Sequence, residues 1–278
     1  MQWINKRDKK NRKYAHRLVN HFLNDAWDKE NNCYVNCDFD TFKRLGRFKS
    51  LLYREQQGYC CYCMRKLDLK DRGKSTIEHV MPHKVEKKDV AYYYAHTPHL
   101  RKNVRVLLIN KDTPRLSNLR PYPHFCAYEN LVLSCSGAIY RTGNPEIEIA
   151  SQLHECCNNP RGSKRVIPMF FIRGVAFEYN EDGTMDFPTE YEESIKYLRL
   201  ETTNNLCLIR KCWAAIVKYY NISDVKRAIT DYSLRNDILM DTTLEIHEAK
   251  RMKNDLYWQL LYEYRWFDGY FRRKKQGS

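Results

Sequence analysis

The chain has 278 residues, 43% of them hydrophobic, and a formal net charge of +14 from 48 Lys and Arg against 34 Asp and Glu. The hydrophobic content excludes a disordered chain and is enough for a sizeable core. The positive excess favours a polyanionic partner, with nucleic acid as the first candidate and an anionic membrane surface as the second.

The N-terminal part and the middle of the chain differ in pattern. Residues 1–57 are predicted to form an N-terminal helical region. Apolar side chains recur there at helical spacing, namely Phe42, Leu45, Phe48, Leu51 and Leu52. Residues 58–168 carry most of the Cys, His, Asn and Pro, in short segments broken by turns. This cysteine-rich middle is therefore expected to hold the chemistry.

The last third, residues 169–278, is predicted to begin with a β-hairpin and continue as helices. The sequence Asn180-Glu181-Asp182-Gly183 suits a tight turn between residues 171–177 and residues 184–187. From about residue 190 the apolar residues return to helical spacing, as in Leu206, Ile209, Trp213 and Ile216. The fold class expected from these three regions is α+β.

The eleven cysteines are interpreted through the compartment in which the protein works. No run of about 18 apolar residues predicts a membrane span, and the start of the chain lacks a secretory signal, so we expect a cytoplasmic protein. Disulfides are rare in that compartment, so the cysteine spacing is examined for metal binding. Cys60 and Cys63 form a C-x-x-C pair that can occupy two corners of a zinc tetrahedron, and Cys135 and Cys157 are downstream candidates for the other two.

Between these cysteines lies the sequence Ile77-Glu78-His79-Val80-Met81-Pro82, at the end of a β-like run. Successive side chains of a strand point to opposite faces, so Glu78 and His79 would need a bulge or a strand end to reach one site. The order C-x-x-C, Glu-His-x-x-Pro, Asn-Leu, Cys and Cys-Asn is more informative than any of these motifs alone.

That order resembles the HNH endonuclease motif, in which a zinc knuckle flanks a β-hairpin and a helix, the ββα-metal core. The resemblance implies that Glu78 ligates a divalent metal and that His79 is the general base. It implies that Asn130 braces the loop that orients the histidine, and that Asn158 begins the helix and ligates the metal. It also implies zinc ligands at Cys60, Cys63, Cys135 and Cys157.

The sequence departs from the usual pattern because residues 136–156 separate Cys135 from Cys157, where the second cysteine pair is normally close in sequence. An inserted loop costs little conformational entropy, so the site can tolerate it. Several alternatives stay open: Cys61 for Cys60, Cys126 for Cys135, Cys156 for Cys157 and Asn159 for Asn158. Cys157 is preferred because Asn158 then directly follows a zinc ligand, as the motif requires.

The chain is similar, more specifically, to the PtuB-like HNH nucleases of Septu and retron anti-phage systems. The segments that carry this resemblance are residues 57–63, residues 77–82 and Cys157-Asn158-Asn159-Pro160-Arg161-Gly162. It implies a DNA-cleaving effector of a prokaryotic defence system that works beside an ATPase partner. It also implies a structural Zn²⁺ and a catalytic Mg²⁺ or Mn²⁺.

Two other functions compete with the nuclease hypothesis. One is a zinc-stabilised module that binds nucleic acid without cleaving it, in which Glu78 and His79 are structural. The other is a scaffold whose helical ends recruit a partner ATPase. Magnesium-dependent nicking that is lost when His79 is replaced distinguishes the nuclease from the binding module. The scaffold predicts a stable complex with the ATPase that forms even when His79 is replaced, and it is compatible with the nuclease function.

Overall fold

The computed structural model of the chain describes residues 1–70, 75–106, 120–135, 155–174, 177–201, 204–242 and 244–277. Helices and small sheets both occur, so the predicted α+β class is confirmed. Contacts divide the chain into two compact units that are not consecutive in sequence. The first comprises Met1–Cys61, Asp68–Ser134 and Gly162–Val175, and the second comprises Tyr62–Leu67, Cys135–Arg161 and Ala176–Ser278.

The first unit begins with three helices and a short hairpin. These are α1 (Lys9–Asp25), β1 (Trp27–Asp28), β2 (Cys33–Tyr34), α2 (Phe39–Phe42) and α3 (Gly46–Glu55). Helix α1 starts where the Asp8 side chain accepts a hydrogen bond from the backbone N–H of Asn11, at 2.8 Å, which satisfies one free donor of the first turn.

The hairpin β1–β2 interrupts the region that the sequence predicts to be helical. The Asp28 carboxylate accepts hydrogen bonds from the backbone N–H groups of Glu30 and Asn31, and Asn32 adopts a left-handed φ of 51°. Local turn chemistry of this kind competes with helix formation. Helical periodicity in residues 1–57 therefore identifies the helices but not the turn between them.

Helix α3 joins the N-terminal part of the first unit to its central sheet. It packs against α1 and against strand β6 (Leu131–Ser134), with Phe48, Leu51 and Leu52 buried. The Gln56 side chain, at the end of α3, pairs with Leu133 in the manner of a neighbouring strand. Its amide donates to the Leu133 carbonyl at 2.8 Å and accepts from the Leu133 N–H at 2.7 Å.

Strand β6 pairs with β3 (Thr76–His79) to form an antiparallel hairpin in which Glu78 lies opposite Val132 and His79 opposite Leu131. The chain between these strands contains further short elements. They are α4 (Lys87–His96), α5 (Pro98–Asn103), the parallel pair β4 (Val104–Arg105) and β5 (Tyr122–Pro123), and a 3-10 turn over Tyr128–Asn130.

The second unit is mainly helical. It contains α6 (Asn158–Arg161), β7 (Glu178–Tyr179), β8 (Met185–Asp186), α7 (Glu192–Tyr197), α8 (Asn204–Ile216), α9 (Ile222–Arg227), α10 (Tyr232–Asp241), α11 (Ile246–Met252), α12 (Asp255–Glu263) and α13 (Trp266–Gly277). Its core includes Trp213 on α8, whose indole N–H donates to the Leu261 carbonyl on α12 at 3.0 Å. None of the helices in the described ranges is long and apolar enough to cross a membrane.

The predicted hairpin around Asn180 is present as β7 and β8, but its first strand is shorter than expected. Met169–Phe171 forms a short 3-10 helix, and residues 175 and 176 lie outside the described ranges. Gly183 in the turn has a φ of 90°, and a Cβ there would lie 2.1 Å from the Cys207 carbonyl oxygen. Only glycine fits at this position.

Candidate active site and metal centre

The hairpin β3–β6 positions the Glu-His pair. Glu78 and His79 are the last two residues of β3, and both are buried, with 7% and 8% of their surfaces exposed. The pairing register runs through both residues without interruption. Strand β3 therefore ends at His79, with no bulge at the Glu78-His79 pair.

The orientation of the His79 ring is set by residues far away in sequence. Its Nε2 lies 3.0 Å from the backbone carbonyl oxygen of Phe125, and the Phe39 ring packs against the imidazole with 4.3 Å between centroids. A carbonyl oxygen can only accept, so Nε2 carries the proton in this contact. The neutral imidazole then has its lone pair on Nδ1, which is the form that a general base needs.

Asn130 holds together the backbone on either side of the candidate base. Its Oδ1 accepts from the backbone N–H of Met81 at 2.8 Å, and its Nδ2 donates to the Met81 carbonyl at 3.1 Å and the His124 carbonyl at 2.8 Å. The side chain is fully buried. Met81, the second residue after β3, is thus joined to the segment that supplies the carbonyl partner of His79.

His83 lies beside His79, and His124 lies beside His83. The ring of His83 is 5.7 Å from that of His79 and 6.0 Å from that of His124, between centroids. His124 donates from Nε2 to the His83 carbonyl at 3.0 Å, and burial lowers the pKa of its imidazole. His83 is exposed, so this group of imidazoles reaches the surface of the first unit.

Phe39, Phe125 and His124 have no sequence signal that marks them as neighbours of the candidate base. Phe125 acts through a backbone carbonyl, which any residue could supply. Phe39 lies 40 residues before His79 in the chain, at the start of α2. Only the fold brings these groups to the imidazole.

Asn158 begins α6 directly after Cys157 and is half-buried. The alternative, Asn159, is exposed, and its amide donates to a carboxylate oxygen of Glu155 at 3.1 Å. Asn158 is thus the more enclosed of the two amides.

The sulfur atoms of Cys60, Cys63, Cys135 and Cys157 gather in one buried group, all within 4.8 Å of one another. The Cys63 and Cys135 sulfurs are 3.6 Å apart. Four thiolates at about 2.3 Å from a tetrahedral zinc would be about 3.8 Å from one another, so the group has the size and the donors that zinc requires. These are the four cysteines named from the sequence.

Left-handed backbone conformations occur at one of the four cysteines of this cluster and directly after another. Cys157 has a φ of 69° and Met64, directly after Cys63, has a φ of 65°. Such conformations are costly for residues other than glycine and persist where the surroundings impose them. The Cys157 N–H donates to the Leu198 carbonyl at 2.8 Å, and the Tyr264 hydroxyl donates to the Cys63 sulfur at 3.4 Å.

The three alternative cysteines lie outside the cluster. The Cys126 thiol donates to the Pro123 carbonyl at 3.4 Å, and burial raises its pKa well above the ordinary value. Cys61 is buried, and its backbone N–H donates to the Leu133 carbonyl on β6 at 3.1 Å. The Cys156 sulfur is 3.5 Å from that of Cys157 but is not a member of the group. Most of the insertion before Cys156, residues 136–154, lies outside the described ranges.

Comparisons of this chain with protein-family models, with curated proteins and with solved structures find no match. The chemistry of the site is therefore argued from its own residues.

Proposed function

We propose that this protein is a metal-dependent endonuclease of the HNH type that hydrolyses phosphodiester bonds in DNA. The observation that carries the proposal is the environment of His79. This imidazole lies at the end of the β3–β6 hairpin, its Nε2 donates to the Phe125 carbonyl, and Asn130 braces the adjoining backbone. A histidine fixed in one tautomer on a rigid hairpin is suited to general-base catalysis.

In this mechanism His79 takes a proton from the water that attacks phosphorus. The Phe125 carbonyl keeps the proton of the neutral ring on Nε2, so Nδ1 is the nitrogen that accepts the water proton. The positive charge that the ring then acquires is stabilised by the same carbonyl, because its dipole points at the Nε2–H. Asn130 limits movement of the backbone that holds this arrangement.

A Mg²⁺ or Mn²⁺ ion would be held by a carboxylate oxygen of Glu78 and the amide oxygen of Asn158, with the remaining positions for water and phosphate. Both are hard oxygen donors of the kind that such ions prefer. When bound, the ion supplies positive charge to the transition state and to the departing 3′ oxygen.

Zinc in the four-cysteine cluster would have a structural role. Four sulfur ligands complete its tetrahedron and leave no position for substrate. The metal would hold the thiolates of Cys60, Cys63, Cys135 and Cys157 together. It would therefore fix Asn158, which directly follows a zinc ligand.

The defence role and the ATPase partner are proposed from the sequence resemblance to the PtuB-like nucleases, as is the DNA substrate, which the net charge of +14 also favours. A nuclease of this kind would damage its own host if it were always active. We therefore propose that the isolated chain has low activity and that the partner raises it.

The nicking of supercoiled plasmid, with Mg²⁺ or Mn²⁺, tests the nuclease function. Wild-type protein and the control His21→Ala, at an exposed histidine on α1, should both nick the plasmid, slowly as isolated chains and faster with the ATPase partner. His79→Ala should be slower by about 10²- to 10⁴-fold, the usual contribution of a general base. All three should contain about one zinc per chain, as expected for a single site with four thiolate ligands.

Equal nicking by His79→Ala and wild type would contradict the assignment of the base. Zinc-loaded protein that binds DNA but does not nick it, with or without an ATPase partner, would favour the non-catalytic module. A zinc measurement is essential here, because it separates a lost base from a lost fold.

A further inference from the structure

The first half of α1 is strongly basic. Five cations fall within its first nine residues and no acidic residue accompanies them: Lys9, Lys10, Arg12, Lys13 and Arg17. Four are exposed and Arg12 is half-buried. In the part of the chain that the structure describes, none of the five forms an ion pair; the only charge contact is that of Arg17 with the Tyr14 ring, at 5.1 Å.

This arrangement is electrostatically unfavourable for the helix itself. The N-terminal end of a helix is the positive end of its dipole, where cations are destabilising. Lys9, Lys13 and Arg17 also follow one another at spacings of four residues, and like charges at that spacing repel. The Asp8 carboxylate that caps the helix is favourable at this end, but it is one negative charge beside five positive ones. A bound polyanion would relieve both costs.

The cations line two neighbouring cavities of the first unit. One, of about 340 Å³, is lined by Lys9, Arg12, Lys13, Arg17 and Arg120, with His16 at its base. The other, of about 680 Å³, shares Lys13 and Arg17 and adds Lys10 and Arg54. The two cavities, which share these cations along α1, are here called the α1 groove; the lining of the larger one also includes Tyr14, Leu51 and Glu55.

Arg120 is held in place in this groove by a buried pair. Its guanidinium donates to Nδ1 of His16, and the opposite nitrogen of that ring, Nε2, donates to a carboxylate oxygen of Glu129 at 2.8 Å. His16 is 3% exposed and Glu129 is 1% exposed. The cation is thus anchored from inside the protein while its own side chain is exposed to the groove.

We propose that the α1 groove binds the sugar–phosphate backbone of a nucleic acid. The proposal rests on the nuclease function in one respect, that the bound strand is the substrate. Glu129 directly precedes Asn130, so the 3-10 turn Tyr128–Asn130 contacts both the groove and the loop of the candidate base. A strand bound along α1 would therefore lie near the 3-10 turn whose Asn130 braces the backbone next to His79.

The surroundings of α1 favour nucleic acid over a membrane. An interfacial helix needs an apolar face that can enter the lipid. The apolar face of α1 is already buried in the first unit, through Ala15, Val19, Phe22 and Leu23. What remains outside is a concave row of lysine and arginine side chains, which suits a line of phosphates.

The test is the affinity of the full chain for a fluorescein-labelled DNA duplex, measured by anisotropy without Mg²⁺ and as a function of NaCl concentration. Each phosphate contact contributes about 0.9 to the slope of log affinity against log salt. The double variant Lys13→Gln/Arg17→Gln should lower that slope by about 2 and weaken binding tenfold or more at about 0.1 M NaCl.

The matched control is Lys226→Gln/Arg227→Gln, which also removes one lysine charge and one arginine charge, but from exposed positions on α9. It should change the affinity and the slope little. Equal losses in the two double variants would overturn the proposal, because only net charge would then matter. So would binding to vesicles of anionic lipid that is tighter than binding to DNA and is lost in the α1 variant.

Failure of the groove and failure of the nuclease are separable, because binding is measured without cleavage. If the α1 variant binds DNA like wild type while His79→Ala abolishes nicking, the proposal that the α1 groove binds DNA is contradicted and the nuclease function is supported. If the α1 variant loses affinity while no preparation nicks DNA, binding by the α1 groove is supported and the protein is a nucleic-acid-binding module.

Discussion

His99 is a single side chain whose burial determines its charge. Its ring packs on Phe171 with 4.8 Å between centroids, and its buried Nε2 has no hydrogen-bond partner among the described residues. Burial, together with the nearby Lys6 ammonium, lowers the pKa of His99 from 6.5 to about 4. The folded protein therefore keeps this imidazole neutral at a pH where an unfolded chain would protonate it.

We predict that His99 makes the protein less stable as the pH falls from about 6.5 to about 4. Over that range the unfolded state binds a proton that the folded state does not, so unfolding is favoured; above pH 6.5 the contribution to stability is complete. The loss between pH 7 and pH 5 should be about 2 kcal/mol. Urea unfolding at both pH values measures it.

The control for this prediction is His99→Leu, which cannot titrate. Its free energy of unfolding should fall less between pH 7 and pH 5 than that of the wild type, whatever its stability at pH 7. His124, whose pKa is also lowered, contributes equally to both proteins. Parallel pH dependences of the two proteins would show that His99 does not cause the loss.

At the scale of elements, the sequence predicts the features that depend on local spacing, but not the contacts between residues that are far apart in the chain. The C-x-x-C pair, the strand that ends at His79 and the hairpin turn at Gly183 all depend on neighbours within a few residues. The β1–β2 hairpin was not predicted because hydrogen bonds from the Asp28 carboxylate to nearby backbone N–H groups define its turn, and apolar periodicity does not record them. The contacts of Gln56 with β6, and of Phe39 with His79, join residues 77 and 40 positions apart and leave no periodic signal.

The cluster of thiols allows a direct test of which cysteines bind metal. Cys135→Ser should reduce the zinc content from about one per chain to well below half, because a tetrahedral site loses one of four thiolates. Cys126→Ser should keep its zinc, since Cys126 is equally buried but lies outside the cluster. Metal analysis of the purified proteins gives the answer.

Loss of zinc in Cys126→Ser but not in Cys135→Ser would reverse the choice made between these two residues. Unchanged zinc content in both variants would place the metal elsewhere in the chain. The comparison is matched because each variant replaces one buried thiol by a hydroxyl.

For the whole molecule, the order of residues in the chain does not reveal which segments belong together. Each compact unit is assembled from three separate stretches of sequence. Periodicity and motifs are read from segments of at most about 18 residues. The assignment of residues 162–175 to the first unit depends instead on tertiary packing. Composition, by contrast, is a property of the whole chain and does not depend on how its segments pack.

The net charge of +14 leads to a final prediction, on ionic strength. Uncompensated positive charges repel one another in the compact state, and salt screens them. Between about 10 mM and 100 mM NaCl the screening length falls from about 30 Å to about 10 Å. The melting temperature should therefore rise by about 2–4 °C, equivalent to roughly 1 kcal/mol for a protein of this size.

The variant Lys13→Gln/Arg17→Gln shows whether the repulsion is concentrated on α1. Its melting temperature should exceed that of the wild type in about 10 mM NaCl, where charges interact over about 30 Å, because like-charge contacts at four-residue spacing are removed and glutamine forms helices as readily as lysine or arginine. The difference should shrink in about 100 mM NaCl, as the remaining repulsion is screened. A variant that is less stable than the wild type at low salt would contradict this, because these cations would then stabilise the folded chain even without a bound polyanion.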